Sequence, residues 1–109
     1  MNNIYFRPRA WADVQESAEY LASEASTETA ERFLDAIVEL TQRLAGLPQM
    51  GAHCQFRNPQ LHSVRRLPVT GFEKWLVFYQ ESDGGIEVIR VLHGARDIAS
   101  ILNPDTRRL

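Results

Sequence analysis

A chain of 109 residues, 44% hydrophobic and 24% charged, has the size and composition of one globular domain with one core. Its net charge of −2 argues against a general affinity for nucleic acid, and its single cysteine, Cys54, excludes an internal disulfide. No apolar run approaches the ~18 residues of a membrane span, and the start MNNIYFRPRAW lacks the basic-then-apolar pattern of a signal peptide, so a cytoplasmic location is expected.

Charge is unevenly spread along the chain. Residues 1–46 carry eight acids and four arginines, while residues 47–109 carry six acids, seven arginines and one lysine. Arginine's planar, permanently charged fork suits carboxylate and phosphate contacts better than lysine does.

NIYFRP has the alternation and aromatic content of a short strand that Pro8 ends. From Pro8 a helical pattern places Trp11, Val14, Ala18, Leu21 and Ala22 on one face and Asp13, Glu16 and Glu19 on the other. SEAST interrupts it, and Ser26 or Thr27 can cap a second helix whose stripe is Ala30, Phe33, Leu34, Ile37, Leu40, Thr41 and Leu44. Gly46 and Pro48 stop that helix. Residues 52–60 show no periodicity and read as a loop. HSVRRLPV, EKWLVFYQE and IEVIRVLH read as strands, the last two joined by the turn sequence SDGG. Pro68 cannot donate to a ladder, so the strand near 62–69 is an edge or ends there. Asp97 is placed to cap a short helix bearing Ile98, Ile101 and Leu102, which Pro104 ends. The order β-α-α-β-β-β plus a terminal helix predicts an α+β fold, one domain over residues 1–109, with a helical hairpin on one face of a small, mainly antiparallel sheet.

No glycine-rich phosphate loop, paired-cysteine spacing or His-Glu-x-x-His is present, so neither cofactor nor metal is expected. His53 and Cys54 with His62 are too sparse for a zinc site, and Cys54 reads as a half-buried thiol. In VIRVLHGARD, strand alternation without a bulge would put Arg90 and His93 on opposite faces. Arg90 shares its face with Ile86, Val88 and Leu92, so it needs a carboxylate or carbonyls nearby. Of Arg65 and Arg66, adjacent on a strand, one faces the helices. The other can join Lys74 or Arg57 in a basic patch.

AWADVQESAEYLA and TAERFLDAIVELTQRLAGLPQMG, followed by SVRRLPV and WLVFYQESDGGIEVIRVLHGARD, resemble the ParE branch of the RelE/ParE superfamily of type II toxin–antitoxin toxins, the plasmid stabilisation proteins. The resemblance covers nearly the whole chain in order. It implies a cognate ParD-like antitoxin of the ribbon-helix-helix type, which would supply the module's DNA contact and whose extended segment neutralises the toxin. It also implies DNA gyrase as target and arrested replication as the outcome. An apolar groove lined by residues such as Trp11, Leu21, Phe33 or Trp75 would take the antitoxin segment, and sheet arginines would pair with its acids. The RelE-like relatives instead cut messenger RNA on the ribosome with basic groups and a proton-transfer residue. Here only His93, Arg65 and Arg96 could form such a set, the sole lysine is Lys74, and Ile101 and Leu102 stand where such nucleases often place an aromatic. A degenerate module that only binds its antitoxin is the third reading.

Overall fold

The computed structural model describes residues 3–56, 58–61 and 63–102; Arg57, His62 and Pro104 fall outside them. Its elements are β1 (Asn3–Phe6), α1 (Pro8–Glu24), α2 (Thr27–Gly46), β2 (Ala52–His53), β3 (Arg65–Val69), β4 (Phe72–Ser82), β5 (Gly85–His93) and α3 (Ile98–Leu102), with a 3-10 turn at Pro59–Leu61. Pro8 takes the first position of α1, where its missing N–H removes no helical bond. Ser26 caps α2, its Oγ accepting from the Thr29 N–H at 3.0 Å.

The sheet order is β1-β5-β4-β3-β2. β1 runs parallel to β5 and the other pairings are antiparallel. The hairpin α1–α2 is therefore the connection that carries the chain across the sheet from β1. β2 falls inside the stretch read as a loop: two residues pair with Arg66 and Arg65, too few for any periodicity to register. Since β2 ends at His53, opposite Arg65, β3 has no outer neighbour at Pro68 among the described residues, and the proline removes no ladder bond there.

The turn between β4 and β5 holds Gly84 at φ 73°, a conformation that SDGG was built to permit. At Gly85 the reason for glycine is space, because a Cβ there would overlap the backbone of Asn3 in β1.

Two apolar clusters use the two faces of the sheet. On one, Phe33, Ile37, Leu40 and Leu44 of α2 pack on Val77, Tyr79, Ile86 and Val88. On the other, Val64, Phe78, Ile89 and Leu92 are covered by Leu102, Ile98 and Ile101 of α3 and by Phe56 and Leu61. The α+β arrangement is the expected one, with the addition that the terminal helix closes the sheet's second face. Among the described residues no helix is long and apolar enough to cross a membrane.

The stripe of α2 is as read, except that Leu34 stays 38% exposed. That of α1 is rotated. Ala10, Asp13, Val14 and Leu21 are buried, while Trp11 and Ala22 are exposed. Asp13, assigned by pattern to the solvent side, is 3% exposed. Its burial has a specific partner.

Candidate functional site

The pairing of β4 with β5 shifts by one residue. Phe78 opposes Arg90 but Tyr79 opposes Val88, so Ile89 is an extra residue and β5 is bulged there. Ile86 and Val88 face the hairpin before the bulge, and Val91 packs into the same cluster after it. After the bulge Val91 and His93 share the hairpin face, while Arg90 opposes Phe78 of the second face, as alternation requires, and reaches α1 only through its guanidinium. The bulge re-aims the end of the strand, and nothing in the local sequence marks it.

Arg90 finds the carboxylate that it requires. Its Nε donates to Asp13 Oδ2 at 2.6 Å and an Nη to Oδ1 at 3.0 Å. The Val91 N–H donates to the same carboxylate at 3.0 Å. The two side chains are 14% and 2% exposed, so this bidentate pair is an internal fixture joining α1 to the bulge. Arg9 approaches Asp13 from outside at 3.7 Å.

Beyond the bulge His93 stands edge-on to Trp75, with ring centroids 4.8 Å apart. Its Nδ1 accepts from the Ala95 N–H at 3.0 Å, which assigns the neutral ring's proton to Nε2. Trp75 is fixed by an Nε1–H bond to Ser17 Oγ at 3.1 Å and touched by Tyr20. Between α1 and the end of β5 these groups bound an open cleft of about 370 Å³, with Asp13 and Val91 in its wall and Arg96 at its edge. Arg96 is exposed and has no ion-pair partner among the described residues. The cleft offers an aromatic wall, the His93 imidazole and the Arg96 cation beside the carboxylates of Asp13 and Glu16, a set suited to holding a partner's side chain.

The remaining cations are dispersed. Arg65 spends its guanidinium on the carbonyls of Gln49 at 3.2 Å and Gly51 at 2.7 Å. Its strand partner is Tyr79, four residues along β4 from Trp75, the partner of His93, and β3 and β5 flank β4 on opposite sides. Arg65 is thus more than ~13 Å from His93 along the sheet, at ~3.3 Å per residue, and the set His93, Arg65 and Arg96 does not assemble. Arg66 and Lys74 are exposed, and the Arg66 partner, Phe78, belongs to the second face. Trp11, Leu21, Phe33 and Trp75 do not line one groove either. Phe33 and Leu21 are buried, and Trp11 lines a separate groove beside β1.

Cys54 is half-buried and burial pushes its thiol up from the ordinary value, with Arg66 opposing, so it is a poor nucleophile. Among the described residues no three His, Cys, Asp or Glu side chains gather as a metal site. Sequence reading missed Asp13, Ser17 and Tyr20 as cleft residues. The one available signal was that Arg90, set among aliphatics, needed an acid.

The model of the family described as the ParE toxin of type II toxin–antitoxin systems, parDE, matches residues 4–98. Among solved structures the fold is similar to a chain of the chromosomal ParDE TA system from P. aeruginosa, with a TM-score of 0.68 and 19% identity. That match covers 85% of this chain and 96% of the other. A search of curated protein sequences returns no match.

Proposed function

The chain belongs to the ParE toxin family of type II toxin–antitoxin systems, and from that premise we propose that it inhibits DNA gyrase, arrests replication and is neutralised by a cognate ParD-like antitoxin of the ribbon-helix-helix type. The observation that carries this reading is the family match over residues 4–98. The dispersal of the cations supports binding over catalysis: Arg90 is consumed by Asp13 and Arg65 by carbonyls, so neither is left to neutralise a scissile phosphate. The cleft of Trp75, His93 and Arg96 is the proposed contact for target or antitoxin, with Arg66 and Lys74 on the second face as further candidates.

Purified protein added to gyrase at micromolar concentration should inhibit supercoiling and raise the level of cleavage complexes, and equimolar antitoxin should reverse both. Unchanged gyrase with messenger cut on translating ribosomes would overturn the reading in favour of an endoribonuclease. No effect on either, with the antitoxin still bound, would leave a binding module.

A further inference from the structure

We propose that His93 is a proton-operated latch on the turn that follows β5: neutral, it holds the turn closed, and protonated, it releases the turn together with Arg96 and α3. Three hydrogen bonds close this turn. The Gly94 N–H donates to the Lys74 carbonyl at 2.6 Å, the Arg96 N–H to the His93 carbonyl at 3.0 Å, and the Ala95 N–H to His93 Nδ1 at 3.0 Å. Only the third runs to a side chain that can take up a proton. A backbone N–H can only donate, so Nδ1 must offer its lone pair. An imidazolium has none to offer, because both of its nitrogens carry protons. The bond and the added proton are therefore mutually exclusive.

The charges around the ring act in the same direction. Around the cleft stand Asp13, Glu16 and Tyr20 of α1, Trp75 of β4 and Arg96 of the turn itself. Asp13 is held by Arg90 of β5 and Glu16 by Arg9, so both acids already have their arginines. Arg96 and Lys74 are exposed and have no ion-pair partner among the described residues. A proton on His93 would thus add positive charge to a turn that already carries an uncompensated cation.

The turn leads directly into α3. Asp97 caps that helix, accepting from the Ser100 N–H at 3.3 Å and the Ser100 hydroxyl at 2.6 Å. Ile98, Ile101 and Leu102 then pack on the second face of the sheet. A helix of five residues cannot hold itself, so α3 depends on this packing and on the turn that delivers it. Opening the turn moves Arg96 away from the cleft on one face and loosens α3 on the other. The latch belongs to this chain alone and does not rest on what the cleft binds.

The test is NMR of the whole protein from about pH 8 to about pH 5, where histidines change charge and most carboxylates stay ionised. The His93 ring signals and the Ala95 and Arg96 amides should move together with one midpoint, and backbone order in Ile98–Leu102 should fall on the acid side. His93→Asn supplies a side-chain oxygen that can accept the N–H two residues on and takes up no proton. It should keep the turn closed and α3 ordered across the whole range. His93→Ala should leave both loose at every pH, with exchange of the Ile101 amide about tenfold faster than in the parent at one fixed pH. The ring is only partly buried, so both variants should fold. Turn amides that ignore the titration of His93, a pH response that survives His93→Asn, or an α3 unchanged in His93→Ala overturns the proposal.

Discussion

Asp13 and Arg90, 77 positions apart, form the bidentate ion pair that pins α1 to the bulge of β5. Both are mostly or wholly withdrawn from water, and the carboxylate also satisfies the Val91 N–H. Removing one member leaves the other charged and unpaired. Asp13→Ala is expected to destabilise the fold by about 3–5 kcal/mol, the cost typical of breaking a buried pair. The double variant Asp13→Leu with Arg90→Met should lose far less than the sum of the two single changes, because no orphan charge remains. Urea unfolding of the parent, Asp13→Leu, Arg90→Met and the double variant measures this. Additive losses would show that the pair is not coupled.

Tyr79 closes the loop that follows α2. Its hydroxyl donates to the Pro48 carbonyl and accepts from the Gly51 N–H, each at 2.8 Å, while Arg65 holds the neighbouring carbonyls. Burial raises the phenol above its ordinary value, the Gly51 bond partly opposing. Tyr79→Phe keeps the ring and orphans two backbone groups, an expected loss of about 1–3 kcal/mol. Hydrogen exchange at Gly51 should accelerate in the variant while the amides of α1 stay as protected as before.

Gly85 sets how closely β1 can approach β5. Since a Cβ there meets the Asn3 backbone rather than a yielding side chain, Gly85→Ala must push the strands apart. A destabilisation of about 1–3 kcal/mol is expected from such overpacking. Faster exchange should concentrate at Asn3 and Arg7, whose N–H groups bond to Gly84 and Val88. An unchanged melting temperature would show that β1 contributes little to the fold.

The sequence makes some of this legible and hides the rest for identifiable reasons. The hairpin was readable because α2 buries a stripe of regular period, and the β4–β5 turn because its glycines have few other uses. The side on which His93 lies relative to Ile86 and Val88 was not, since a one-residue bulge reverses alternation without a compositional sign. Asp13 escaped for a related reason: polarity places a carboxylate outside unless its partner, far along the chain, is already known. Of the residues lining the groove beside β1, Trp11 and Leu34 sat on apolar stripes yet stay exposed, and Val38 was on neither stripe. What periodicity cannot reveal is that the sheet stops at β1, short of covering them.

The pair between Arg7 and Glu87 ties the end of β1 to β5 and gives the fold a pH dependence of known sign. Arg7 Nε donates to Glu87 Oε2 at 3.0 Å, and Gln80 Nε2 donates to Oε1 at 2.9 Å. These bonds, the one from Arg7 foremost, hold the Glu87 carboxyl below its ordinary value of 4.5. The unfolded chain therefore takes up this proton at a higher pH than the folded one. The stabilisation is fully present above pH 4.5 and is lost as pH falls through the lower folded value. Glu87→Gln should thus be less stable than the parent at neutral pH, and the gap should narrow as the solution is acidified below pH 4.5. With Arg7 45% exposed, the gap at neutral pH should stay under ~1 kcal/mol and shrink in high salt. A gap that widens on acidification would mean that Glu87 is held in its protonated form, contrary to these bonds.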